Sequence, residues 1–378
     1  MRSESAQRNR LIEEYKMNAT AATPPSAETI RKLHSIPLFS VNGTAVNRGS
    51  IEIGGLALPP RGDPSLVQFE MERGVRMAVD YPLPNPGAHE VYWYWPDSLR
   101  SAFRITIDLA ASNDSAPFYK LRIKFLDRKE DEFEVARTTV LIPKDLRMLQ
   151  NFPSGGSLQR VMRFDTVSSV ALTGLTDANR IATLAKRYGW NGSGNVLDWG
   201  CGHGRVVRHL HLFAEAERFG IDIDPENVGW AKSHLPDANF RVGPLMPPTD
   251  YENGKFSLIY AISVMTHLTA DVQIAWLREI KRLLQPGGLA LLTFAGDGSA
   301  AFSSRYLTQP WFKQYLSTGS GPDLPDKSLE GVIDKPDYYK NVTQKSNVAR
   351  DRCAKLFEVV GVHECMFGYQ DLLVLRNS

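Results

Sequence analysis

Cysteine is scarce in this chain: Cys201, Cys353 and Cys365 are all it has, and no two stand in a Cys-x-x-Cys pair. An odd count without metal-ligand spacing argues against a disulfide framework or a structural zinc site. No metal is expected, and a reducing, cytoplasmic setting fits. Also missing is any apolar run of the ~20 residues that a membrane-spanning helix needs, so integral membrane association is not expected. The stretch Met1 to Arg10 has no apolar core of a signal peptide, and secretion is not expected either. Asn-x-Ser/Thr triplets such as Asn42-Gly43-Thr44 therefore read as chance matches. Net charge is only +2, with Lys and Arg scattered among the acids, so charge alone implies no nucleic-acid partner and no membrane surface. No internal repeat is evident.

What is there suggests two domains, because 378 residues exceed one ordinary core. Residues 1–33 are polar, with a short helical pattern at Leu11, Ile12 and Tyr15 and then Thr23-Pro24-Pro25, which reads as an N-terminal helix and linker. Over 34–150 the apolar period is two. Ile51 and Ile53, Phe103, Ile105 and Ile107, and Leu121, Ile123 and Phe125 alternate with polar residues. The segments 66–71 and 75–79 flank Arg73-Gly74 as a hairpin, Val91, Trp93 and Trp95 alternate with Tyr92 and Tyr94, and Phe133 with Val135 opens a last strand pair. Short strands separated by turn signals, with no convincing helix, predict a β-sandwich-like all-β accessory domain. The block Tyr92 to Trp95 has two readings: rings packed in the interior, or flat faces stacked on a sugar.

From 151 to 378 the pattern becomes an alternation of helical and strand-like segments. A helix is expected over 177–187, then a strand ending at Asp198 and a helix after Gly204. Strand two spans 219–223 with its helix from Pro225. Strands follow at 239–242 and 256–262, then a helix over 270–284 capped by Thr269, and strands at 289–294, 356–360 and 371–375. This alternation predicts a doubly wound, Rossmann-like α/β sheet. Residues 296–345, rich in Gly, Ser, Asp and Pro, form an insertion.

Val196-Leu197-Asp198-Trp199-Gly200-Cys201-Gly202-His203-Gly204 is the most specific stretch. Its third glycine falls one residue early for a dinucleotide fingerprint, and no Gly-Lys-Ser/Thr follows as in a P-loop. A bare tight turn explains the glycines but leaves two strand-end acids, Asp198 and Asp222, without a use.

The segment resembles motif I of class I S-adenosylmethionine-dependent methyltransferases. Gly220-Ile221-Asp222, the run Phe256 to Leu268, Leu283 to Leu289 and Gln370 to Leu375 resemble the family's later motifs in order and spacing. The resemblance covers about 160–378. It implies S-adenosylmethionine as cofactor, held by the backbone of Gly200, Cys201 and Gly202. Asp198 would orient the loop and receive the α-ammonium, and Asp222 would accept the ribose hydroxyls. Ile223 would pack on the adenine face, Leu245 with backbone amides would serve at the adenine amino group, and Ser263 would also bind the cofactor. Two departures stand out. No acid follows strand three in Arg241-Val242-Gly243-Pro244-Leu245, and no Asn/Asp-Pro-Pro-Tyr/Phe follows strand four, which argues against exocyclic amine acceptors and leaves oxygen.

Methyl transfer to a hydroxyl needs alignment and a base. His267, just past strand four, is the candidate, with helix capping or packing as the alternative role. The insertion aromatics Tyr306, Trp311, Phe312, Tyr315, Tyr338 and Tyr339 either shape an acceptor pocket or pack a lid. The layout is similar to methyltransferases of bacterial surface-polysaccharide and glycolipid pathways, which implies a small-molecule or glycan acceptor. A His often follows the tyrosine near 339 in those relatives, where this chain has Lys340. The opposing class of reading is a catalytically silent glycan-binding scaffold. Oligomeric state is not legible.

Overall fold

The computed structural model describes residues 25–47, 49–72, 74–109, 116–153, 156–161, 167–335 and 337–378. The helix expected near Leu11 to Tyr15 lies outside them. The N-terminal part begins with helix α1 (Ala27–Leu33) and contains β1 (Leu38–Asn47), β2 (Ser50–Leu58), β3 (Val67–Glu70), β4 (Met77–Leu83), helix α2 (Pro86–Val91), β5 (Ala102–Asp108), β6 (Phe118–Phe125), helix α3 (Glu132–Thr138) and β7 (Thr139–Pro143). Two antiparallel sheets result, in the orders β1-β2-β5-β4 and β3-β6-β7. Their alternating apolar faces share one core, with Ile51, Ile53, Ile105 and Ile107 beside Leu121, Ile123 and Ile142. Period-two patterning sends every second side chain to that core, as the sequence suggested.

Four details differ from expectation. β3 pairs with β6 and β4 with β5, so the segments around Arg73-Gly74 do not form a hairpin. The region is not free of helix, since α2 and α3 interrupt it. Phe133 and Val135 lie in α3, whose start is set by Asp131 accepting from the amides of Phe133 and Glu134 at 3.1 and 2.9 Å. The 91–95 alternation is no strand: Asn85 caps α2 through the Ala88 amide at 3.0 Å, Pro86 occupies its first turn, and turns follow.

The rings of Tyr92, Tyr94 and Trp95 are buried, and they cluster with Trp311, Phe312 and Tyr315 of the insertion. Trp93 Nε1 donates to Ser304 Oγ at 3.1 Å. This block packs the accessory region against the insertion, which decides for packing over sugar stacking.

Helix α4 (Gly156–Val161) and the long helix α5 (Val167–Arg187) lead into the second part. Ala171 and Leu172 of α5 sit in the accessory core, while Ala178, Ile181 and Ala185 pack beneath the second sheet, so one helix joins both cores. That sheet is built from β8 (Ser193–Trp199), β9 (Glu215–Asp222), β10 (Asn239–Val242), β11 (Phe256–Ala261), β12 (Leu284–Ala295), β15 (Glu358–Phe367) and β16 (Gln370–Arg376). Its order is β10-β9-β8-β11-β12-β16-β15. The first five strands are parallel, and β16 pairs antiparallel with both of its neighbours. Helices α6 (Pro225–His234) and α7 (Ala270–Leu283) connect strands, and α5 and α7 cover opposite faces.

The segment after Gly204 is a 3-10 turn, Val207–Leu212, rather than the expected α-helix. Thr269 precedes α7 without a side-chain capping bond. The insertion holds α8 (Asp297–Phe302), α9 (Gln309–Thr318) and the two-residue strands β13 (Leu324–Pro325) and β14 (Lys340–Asn341), and α10 (Ser346–Cys353) follows it. Strand order reverses between β8 and β11, which makes their carboxyl ends the place where a ligand binds in sheets of this class.

Candidate functional site

At that edge the chain leaves β8 through three left-handed glycines, with φ of +82° at Gly200, +52° at Gly202 and +80° at Gly204. Only glycine adopts this region without strain. A Cβ on Gly200 would lie 2.3 Å from Val264 Cγ2, so the loop also abuts the exit of β11. The amides of Gly200 and Cys201 donate to the Ile221 carbonyl at 2.8 and 3.1 Å, which ties the loop to β9. At the end of β9, Asp222 accepts from the Gly202 amide at 2.7 Å and from the Asp224 amide at 2.9 Å, one bond to each oxygen. Lone pairs remain on both oxygens. Asp222 is half-buried, and burial raises its carboxyl above the usual range.

Asp198 is buried beneath the loop, and burial pushes its carboxyl up to about 7 against the pull of Arg205. Arg205 is buried and forms an ion pair with Asp177 of α5 at 2.6 Å. The Cys201 thiol packs among Val207, Val228 and Phe240 and lies 3.5 Å from the Gly202 carbonyl oxygen. Ile223 and Leu245 are half-buried. The Leu245 carbonyl accepts from Trp276 Nε1 and Tyr338 Oη, which fixes the post-β10 loop without an acid.

Ser263 is held at φ +61° by two partners. Its amide donates to Thr293 Oγ1 and its hydroxyl accepts from Gln370 Nε2, both at 2.8 Å. Thr293 and Gln370 hold Ser263 in place, a role that sequence reasoning passed over although Gln370 opens the last recognised motif.

Arg160 of α4 was also missed: it donates to Asp224 Oδ2 at 2.7 Å and pairs with Glu226. Val161 lies over Gly202, where a Cβ would meet its Cγ2 at 2.7 Å. Helix α4 thus roofs the glycine loop.

His267 ends the 3-10 turn Met265–His267, three residues after Val264. Its Nδ1 lies 3.0 Å from the Lys340 carbonyl oxygen and 3.8 Å from Asp326 Oδ2, and the Tyr339 ring stacks on it at 4.1 Å with 12° between planes. Of the insertion aromatics, Trp311, Phe312 and Tyr315 pack against the accessory region, Tyr338 reaches Leu245, and Tyr339 reaches His267. His203 is fully buried in the loop with neither ring nitrogen hydrogen-bonded, and burial lowers it to about 3. Among the described residues no group of three or more His, Cys, Asp or Glu is placed to hold a metal, and no helix is long and apolar enough to cross a membrane.

The donor set suits S-adenosylmethionine. A carboxylate with spare lone pairs stands beside a turn of left-handed glycines, and a hydroxyl-accepting acid at this strand end disfavours a phosphate. Asp222 would hold the ribose, and the backbone of Gly200 to Gly202 the amino-acid portion.

Residues 196–288 match the family model of a methyltransferase domain. Among curated relatives, a ubiquinone biosynthesis O-methyltransferase of Cereibacter sphaeroides is 26% identical over 135 residues, 33% of this chain and 51% of that protein. An N-terminal Xaa-Pro-Lys N-methyltransferase 1-B of Xenopus laevis is 30% identical over 135 residues, 33% of this chain and 60% of its own. The chain spans about half the length of the first of these. Among solved structures, a magnesium protoporphyrin IX methyltransferase from Synechocystis with bound S-adenosylhomocysteine is 17% identical, covering 61% of this chain and 92% of that one, with a TM-score of 0.37. An S-adenosylmethionine-dependent methyltransferase from Mesorhizobium loti is 15% identical, covering 51% and 95%, also with a TM-score of 0.37.

Proposed function

We propose that this chain, whose residues 196–288 match the family model of a methyltransferase domain, uses S-adenosylmethionine to transfer a methyl group to a hydroxyl oxygen. The observation that carries the donor half is the Asp222 carboxylate, oriented by the Gly202 and Asp224 amides with lone pairs left for two hydroxyls. The bound donor supplies an electrophilic methyl on a sulfonium, whose C–S bond breaks with the electron pair going to sulfur as the O–CH3 bond forms. The chain's part is to hold donor and acceptor in line and to take the hydroxyl proton. His267 is the group assigned that proton.

The acceptor class is a small molecule or the sugar hydroxyl of a glycan or glycolipid precursor. A nitrogen acceptor is the second reading, favoured by the N-methyltransferase among the relatives. The silent-scaffold reading loses its main feature, because the Tyr92, Tyr94 and Trp95 rings are buried. A screen with isotopically labelled methyl donor tests the proposal: label should enter hydroxylated acceptors and be lost in His267→Gln. Labelling confined to amines would refute the oxygen assignment.

A further inference from the structure

We infer that the insertion sets the protonation geometry of His267, with the Lys340 carbonyl fixing its tautomer and the Asp326 carboxylate stabilising its protonated form. The inference rests on the methyltransferase reading and names a positioning pair for its base. A carbonyl oxygen only accepts, so at 3.0 Å from Lys340 O the Nδ1 atom carries the hydrogen. The lone pair of the neutral ring then belongs to Nε2.

Asp326 Oδ2, 3.8 Å from the same Nδ1, is too far for a hydrogen bond yet close enough for its charge to be felt. Its side chain is only 7% exposed, so water screens it weakly. When Nε2 takes a proton, the positive charge that spreads over the ring develops beside that carboxylate and is stabilised by it. The Tyr339 ring, nearly parallel at 12°, limits rotation of the imidazole out of this plane. Among the described residues, the charged and titratable groups facing the ring include Asp326, Tyr339 and Lys340, and the Lys340 ammonium is drawn aside to Asp337 at 2.9 Å.

A capping role fits less well. The N-cap of α7 is Thr269, and the His267 ring bonds across to another segment. That segment is pinned beside the turn by the Val342 amide on the Thr266 carbonyl and by the Gln344 amide on the Ala295 carbonyl, both at 2.8 Å. The positioning pair is therefore complete only when the insertion is docked.

Nitrogen-15 NMR of the full chain, with S-adenosylhomocysteine added, tests this without an acceptor. The wild type should show His267 in the Nδ1–H form. Asp326→Asn should lower the pH at which the ring protonates by roughly half a unit to one unit, because a stabilising negative charge is gone. In turnover assays Asp326→Asn should lower kcat about 10-fold or more and move the acid limb of the rate profile to lower pH. Its S-adenosylhomocysteine affinity should stay within about twofold, and Asp326→Glu should recover part of kcat. If Asp326→Asn unfolds, Tyr339→Leu provides the comparison: the His267 ring in that variant should titrate near the wild-type pH, with kcat reduced by loss of orientation. An Nε2–H ring in the wild type, or an unmoved titration in folded Asp326→Asn, would overturn the inference. Failure of the wild type to bind S-adenosylhomocysteine would instead overturn the methyltransferase reading and leave the tautomer result standing.

Discussion

Arg205 Nη1 lies 2.6 Å from Asp177 Oδ2, and the pair joins the end of the glycine loop to the helix that carries both cores. Both side chains are at most 14% exposed, and Asp177 also faces Arg180 at 3.2 Å. Removing the carboxylate leaves two buried guanidinium groups without it. Asp177→Ala should therefore destabilise the chain by about 3–5 kcal/mol in equilibrium urea unfolding. A loss under about 1 kcal/mol would mean that water or another acid compensates.

The turn itself gives a second prediction. Gly200→Ala forces a side chain into left-handed backbone and onto Val264, so S-adenosylhomocysteine affinity should fall by roughly 5- to 150-fold, the equivalent of the ~1–3 kcal/mol such strain stores. Gly229, exposed in α6 with open space where a Cβ would stand, is the control. Gly229→Ala should leave binding unchanged and stabilise by about 0.5–1 kcal/mol, read by thermal unfolding.

Legibility in the sequence follows sequence distance. The loop, Asp198 and Asp222 fall within one strand–turn–strand unit, so acids and glycines declare themselves together. The strand at 256–261 carries its own largely apolar run. The region 91–95 misleads because alternating aromatics suit a strand equally well, while the deciding signal is Asn85-Pro86 just upstream. Asp131 before Glu132 is the overlooked start signal of α3. Pairing of β3 with β6, Ser263 with Gln370, and His267 with Asp326 joins residues distant in sequence, and no local pattern encodes such partners.

Acid should weaken the fold through its buried histidines. Burial lowers His34 to about 4 and His203 and His209 to about 3, each from 6.5. A depressed histidine contributes stability that is present above the unfolded value of 6.5 and lost as pH falls toward the folded value. Asp198, raised to about 7, works in the opposite sense: the folded chain retains a proton there between about 3.8 and 7, and stability from this group falls as pH rises through that window. Urea midpoints measured from about pH 8 to about pH 4 should decline in the wild type. His203→Phe should flatten part of that decline, and Asp198→Asn should steepen it. A midpoint independent of pH would contradict the burial of these groups.

The central claim is that the Asp222 carboxylate holds the ribose of the methyl donor. Calorimetric titration with S-adenosylmethionine and S-adenosylhomocysteine tests it most directly, using wild type, Asp222→Asn and Asp222→Ala with folding checked by circular dichroism. The account predicts wild-type binding and a loss of about 10- to 100-fold in both variants, in line with hydrogen bonds to a charged group worth about 1.5–3 kcal/mol. No binding by the wild type, or undiminished binding by folded Asp222→Ala, would contradict it.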